Sequence, residues 1–337
     1  MLPIPVTFLC PEPSHQVEAF DPDTDWQWFG SGLRAWIAQT YLRLRSAGLQ
    51  IHLSPEVPKE GIVVYHSGYS EPIAAIPPSA RGPLILVRVR ADRGPDATAD
   101  FEIVQNGCCV DHRVFWLPHW PQPGMLPRDP ARGPRVSVVA FKGHLDELNP
   151  ELRQEDWRSQ LEAHDLEWVV DAIAYQGDDT DYSSVAWNDF RRVDILLGFR
   201  PDARSLSIIK PATKLQNAWL AGVPAVLGPE YPYRELRQSP LDYLEITDAE
   251  TALRAICRLR DDPELYRQMV QHGAQRARQF SPERVVEAWR HLLTQTLPQA
   301  LSRGTVRRRR KVPLPLLEAA GGLLERSRRI RGRLKTL

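Results

Sequence analysis

The 337-residue chain is 42% hydrophobic, 25% charged and 8% aromatic with ten tryptophans, a composition that excludes a disordered or fibrous protein. Its length fits two domains better than one core, and no apolar run approaches the roughly 18 residues that span a bilayer. The net charge of +1 hides an asymmetry: residues 303–337 hold twelve Lys or Arg against two acidic residues, a local +10, which leaves −9 on residues 1–302.

The opening MLPIPVTFLC lacks the basic flank and cleavage pattern of a secretory signal, so a cytoplasmic location is expected. Residues 5–10 read as a strand. After a polar loop, Gly30-Ser31-Gly32 precedes Leu33, Trp36, Ile37, Thr40, Tyr41 and Leu44, which share one face of a helix that Gly48 can end. Strands follow at 50–53, 61–65, 84–89, 101–104 and 114–117, spaced by crossovers that imply a mostly parallel sheet. Residues 117–134 form a proline-rich connection.

A second series begins with a strand over 135–141 that runs into Lys142-Gly143. It continues through a helix near 150–164, a strand over 166–170, a short helix around 187–191 and a strand over 193–198. Next comes KPATKLQNAWLAGVPAVLGPE, residues 210–230, which reads as helix, tight turn at Gly222 and buried strand. A strand over 243–246 and helices over 249–261, 263–279 and 282–295 complete the series, the last two starting at Asp262-Pro263 and Ser281-Pro282. The organisation is thus an α/β unit at 1–127, a second at 128–298, and a basic extension at 299–337. No short repeat is present.

Ligands of doubly wound sheets settle at the carboxyl ends of strands, where three stretches fall: Gly30-Ser31-Gly32, Lys142-Gly143 and Lys210 to Asn217. A helix start flanked by Lys210 and Lys214 joins free backbone N–H groups to cations, the usual means of holding an anion such as a phosphate. The glycine pair equally suits a plain loop-to-helix turn, and each lysine a solvated helix end. No complete G-x-G-x-x-G and no G-x-S-x-G elbow is present, which disfavours a nicotinamide dehydrogenase and an α/β hydrolase. Cys10, Cys108, Cys109 and Cys257 lack metal-ligand spacing and are expected to be reduced. His66 in YHSG is the preferred general base for a hydroxyl, with His15 and His112 near other strand ends. Asp179-Thr180-Asp181 is a D-x-D in a polar loop, read as solvated because no third ligand is evident.

The segment Lys214-Leu215-Gln216-Asn217-Ala218-Trp219-Leu220-Ala221-Gly222-Val223-Pro224-Ala225-Val226 resembles the donor-site stretch of GT-B glycosyltransferases, written KLxEAxAxGxPVV. DDPELYRQMVQHGAQRARQFS, residues 261–281, is similar to that family's closing helices. The resemblance is strong over residues 190–295 and extends to the first unit only in layout. It implies two Rossmann-like domains facing each other across a cleft, an α/β fold with the basic extension added. It further implies a nucleotide-diphosphate sugar on the second domain, a sugar or lipid acceptor on the first, transfer of a hexose, and neither metal nor organic cofactor. Lys142, Lys214 and Lys210 would neutralise the diphosphate and the leaving group, making Lys142 and Lys214 catalytic beside His66. Gly30, Ser31, Gly32, Thr213, Asn217, Glu230 and Glu235 complete the donor contacts, although Glu235 equally suits a helix start. Asn217 departs from the family, whose glutamate there accepts hydrogen bonds from ribose, and so leaves open a non-catalytic binding or scaffold protein.

Arg307 to Lys311 is a solid basic run, and Leu317, Ala320, Leu323, Leu324, Ile330 and Leu334 fall near one helix face. Residues 303–337 therefore suit an anionic membrane surface at the inner face or, alternatively, packing back on the first domain. Nucleic acid is not expected as a partner, since the run lacks interleaved aromatics.

Overall fold

A computed structural model describes residues 4–177, 180–201 and 209–302 of the chain. The basic extension from residue 303, and Asp178 and Asp179 of the acidic loop, lie outside the described residues. In the first unit the strands β1 (Val6–Leu9), β2 (His52–Ser54), β3 (Gly61–His66), β4 (Leu84–Val89), β5 (Phe101–Val104) and β6 (Val114–Trp116) form one parallel sheet ordered β2-β1-β3-β4-β5-β6. Ile62, Val63, Val64 and Tyr65 are all buried, as in a parallel sheet covered on both faces. The expected first helix is there, but it is wound as a π turn over Arg34–Ala38 before continuing as α1 (Gln39–Ser46). Trp36, Ile37, Tyr41 and Leu44 bury its apolar face, and Gly48 ends it at φ 85°.

The second unit builds β7 (Val138–His144), α2 (Glu155–Glu162), β8 (Glu167–Ile173), β9 (Ile195–Gly198), α3 (Thr213–Ala221), β10 (Ala225–Leu227), α4 (Tyr231–Leu236) and β11 (Leu244–Glu245). Its parallel sheet runs β11-β10-β9-β7-β8. The helices α5 (Ala249–Asp261), α6 (Pro263–Ala277) and α7 (Pro282–His291) follow, α5 opened by a reciprocal Asp248–Thr251 cap and α6 by Asp262. Gly222 closes α3 at φ 71°, so the chain turns directly into β10. The short helix expected around 187–191 is absent. Its backbone pairs with the interdomain connection instead: Leu126 N–H donates to Asn188 O at 2.8 Å and Phe190 N–H to Leu126 O at 2.8 Å.

Two features tie the units together. Beyond α7, which sequence counts with the second unit, Leu292, Leu293 and Leu297 join Val285 and Trp289 in the core of the first, where Trp289 meets Phe8 at 5.8 Å. The connection itself is pinned by Asp194, fully buried, whose carboxylate accepts from Arg128 and Arg132 at 2.7 Å each and from the Ser137 and Val138 amides at 2.9 Å. Burial opposes its charge, but the two guanidinium groups and two amides outweigh burial and hold its pKa below the ordinary 3.8. This stabilisation is present above pH 3.8 and is lost as pH falls below it. Asp194→Ala leaves two arginines unpaired and should cost about 3–5 kcal/mol, read as a lower midpoint in urea unfolding at pH 7; an unchanged midpoint would refute the pinning role.

Candidate active site between the two sheets

The carboxyl ends of both sheets face one cavity of about 490 Å³, lined from the first unit by Gly30, Gly32, His66 and His119 and from the second by Lys142, Arg200, Lys210, Thr213, Lys214 and Asn217. At its floor α3 begins. Its ladder starts with Gln216 N–H to Ala212 O, so the amides of Thr213, Lys214 and Leu215 have no intrahelical acceptor. Lys214 crosses the strand ends: a Cβ on Gly143 would lie 2.8 Å from its Nζ, and one on Gly198 3.2 Å from its Cδ. Glycine at both strand ends is thus what gives this lysine its path.

Three cations converge on Glu147, in the turn Leu145–Glu147 after β7. Arg200 reaches its carboxylate at 3.1 Å, Lys214 at 3.2 Å and Lys210 at 3.6 Å. Lys210 also meets Asp92 of the first unit at 2.7 Å, and Arg200 lies 3.8 Å from the buried Glu230. Burial opposes the Glu147 charge, yet the three cations outweigh it and hold the carboxyl far below its usual range. Burial likewise opposes the charge on Arg200 and on Lys210, but neighbouring anions outweigh it and raise both. For Lys214 burial dominates and its pKa falls; for Glu230 burial dominates and its pKa rises.

The other residues singled out in the sequence are placed as follows. Lys142 lines the cavity, its Nζ donating to Asp171 and to Ala186 O at 2.8 Å each. Thr213 lies on the lining at the start of α3. Asn217 also lines it, but its Oδ1 accepts from the Gln122 backbone of the interdomain connection at 3.0 Å. Gly30 lets the two units touch, since a Cβ there would overlap the Tyr182 ring. Gly32 lies under His66, and Ser31 is buried with its Oγ accepting from Arg34 N–H at 3.3 Å. Glu230 lies behind Arg200, accepting from the Arg200 amide at 3.1 Å. Glu235 is outside the cavity and bridges the units, accepting from the Gly107 and Cys108 amides at 2.9 and 2.8 Å. His15 and His112 are exposed away from the cavity, and Asp181 caps Ser183. Among the described residues no group of three or more His, Cys, Asp or Glu could hold a metal ion.

Of the three histidines that line the cavity, His66, His119 and His144, the first two have opposite tautomers. His66 Nδ1 accepts from Gly68 N–H at 3.0 Å, so the neutral ring carries its proton on Nε2. His119 lies 2.6 Å by Nδ1 from the Trp120 carbonyl, which only accepts, so its proton is on Nδ1 and its Nε2 holds the lone pair. Burial pushes His66 down to about 4 and also lowers His119. His119, Glu147, Arg200 and Asp92 are absent from the sequence reading. Arg200 alone carried a signal, a basic residue just past a strand end, like Lys142; His119 is hidden in the proline-rich connection.

No family model matches the chain, and no curated protein does. Solved structures do. HepE from Anabaena, in complex with UDP-glucose, matches at a TM-score of 0.53 with 12% identity over 88% of this chain and 100% of that one. TarM matches at 0.48 with 10% identity, and the pneumococcal O-GlcNAc transferase GtfA, in complex with UDP and GlcNAc, at 0.46 with 13% identity; they cover 69% and 76% of this chain. The chain spans only 55% of the TarM chain and 60% of the GtfA chain. Two parallel Rossmann-like sheets facing one cleft, together with the likeness to HepE, define the fold: it is that of the GT-B glycosyltransferases.

Proposed function

We propose that the chain is a glycosyltransferase that moves a hexose from a nucleotide-diphosphate sugar to a sugar or lipid hydroxyl. The observation that carries this reading is the convergence of Arg200, Lys210 and Lys214 on one anion at the start of α3. Fixed cations and free amides aimed at one point stabilise the charge that grows on a diphosphate as its bond to the sugar carbon breaks. Lys142, oriented by Asp171, and the cavity residues Gly30, Gly32, Thr213 and Asn217 are proposed to line the donor. Ser31, Glu230 and Glu235 are proposed to support that surface from behind or beside it.

The acceptor would enter from the first unit, where the tautomers assign different roles. His119 Nε2 is the basic nitrogen that takes the acceptor proton as the new carbon–oxygen bond forms, whereas His66 keeps its Nε2–H buried against Gly32 and supports the lining from behind. A non-catalytic binding protein is the second reading, favoured by one observation. The Asn217 carbonyl is committed to Gln122, which leaves only its NH₂ for a ribose. An anionic membrane remains a proposed partner of residues 303–337 on charge alone.

Nucleoside diphosphates and their sugar conjugates should raise the Tm, and Lys214→Ala should weaken that ligand by about 1.5–3 kcal/mol, roughly 10- to 150-fold. Silence across UDP, GDP, ADP and CDP would remove the donor reading, whereas binding without product from any acceptor would favour the scaffold. Should turnover be found, His119→Asn should lower kcat while leaving donor affinity intact, and equal losses in His66→Asn would refute the division of roles. Because folding holds His66 down near 4 against an ordinary 6.5, stability should fall as pH drops from 6.5 toward 4. His66→Asn should flatten part of that slope in a Tm-against-pH series, and an unaltered slope would contradict the burial of a neutral ring.

A further inference from the structure

We propose that Glu147 is a resident counter-anion: its carboxylate occupies the seat of the donor phosphates and must leave before the nucleotide binds, so Glu147 sets donor affinity. The inference rests on the diphosphate reading of this cleft given above. Its ground is a charge count among the described residues. Arg200, Lys210 and Lys214 face three carboxylates, Asp92, Glu147 and Glu230, and so the cluster is balanced as it stands. A diphosphate brings at least two further negative charges into a partly buried pocket. With Glu147 in place it meets a carboxylate at van der Waals range and cations whose charge is already balanced, and both oppose its entry.

Asp92 is exposed but reaches Lys210 alone and Glu230 reaches Arg200 alone, so of the three carboxylates Glu147 is the one that meets all three cations within 4.0 Å among the described residues. Glu230 is fully buried beneath Arg200, accepting from its backbone amide, and Asp92 belongs to the opposite unit and also accepts from Gln105. Glu147 stands at the end of a one-turn segment, outside the sheet, and Leu145 at its start is 39% exposed. The next residue, Leu148, is buried, and Arg153 holds the Leu148 carbonyl at 2.9 Å, so the backbone is anchored while the glutamate side chain keeps three torsions. Rotating them would release the carboxylate without moving the strand. It leaves behind two oxygen positions already within 3.1–3.6 Å of three cations, spacing that suits phosphate oxygens. Lys214 is the cation most exposed to the change, because Glu147 is the one carboxylate within 4.0 Å of its Nζ among the described residues.

The test is calorimetric titration of the full chain with UDP and with inorganic pyrophosphate, the latter a probe that needs no base recognition. Glu147→Gln should bind both ligands at least 10-fold more tightly than wild type, and Lys214→Ala more weakly. Weaker or unchanged binding in Glu147→Gln, with Lys214→Ala still impaired, would overturn the inference and make Glu147 a residue that positions the cations. No effect of Lys214→Ala, or no binding of either ligand to any variant, would instead overturn the diphosphate reading. Since Glu147→Gln leaves buried cations with one partner fewer, carbodiimide footprinting of wild-type carboxylates serves as a second readout. Glu147 should be protected in the free protein and labelled once pyrophosphate is bound; unchanged protection would overturn the inference.

Discussion

A cation withdrawn from water needs an anion within reach, and the cleft between the two sheets is built on that constraint. Lys214 has Glu147, Lys210 has Asp92 as well as Glu147, and Arg200 lies between Glu147 and Glu230. The same constraint explains why these residues converge at a single point. The first turn of α3 offers amides without an intrahelical acceptor there, Gly143 near the end of β7 and Gly198 at the end of β9 leave room, and Lys214 can lie across them. The convergence of cations is therefore a property of the strand-end geometry rather than of a surface patch of charge.

Each domain supplies half of this arrangement, and the halves are held together by polar contacts that double as site contacts. Asp92 reaches over to Lys210, Asn106 donates to the Lys210 carbonyl at 2.9 Å, and Glu235 accepts two amides from the first unit. Asn217 joins α3 to the connection through Gln122. Beneath them, α7 and the turns after it carry the chain back into the first core, so the two units share apolar packing as well as the cleft. A nucleotide entering between them would disturb few of the apolar contacts and several of the polar ones.

Much of the fold was legible because its signals are local. Continuous β-branched runs marked the strands, Asp262-Pro263 and Gly222 marked helix ends, and the stretch from Lys214 to Val226 marked α3 with its turn and strand. What escaped was set by partners far away in sequence. Residues 187–190 did not form a helix because the connection around Leu126 takes their backbone groups. Glu147 carries no local signal in Asp146-Glu147, and its role follows only from Arg200 and Lys210 arriving from more than fifty residues away. The histidines show the same limit. Residue type nominated His66, but its Nδ1 lone pair is taken by the Gly68 amide, whereas the Trp120 carbonyl fixes the His119 proton on Nδ1 and leaves the lone pair on Nε2.

The most direct measurement is a crystal structure of the full chain grown with a nucleoside diphosphate at saturating concentration. Phosphate oxygens are predicted within hydrogen-bond distance of Lys214, Arg200 and the first amides of α3, with Glu147 rotated away. A nucleotide bound elsewhere, or an empty cleft with Glu147 still held by its three cations, would contradict the account.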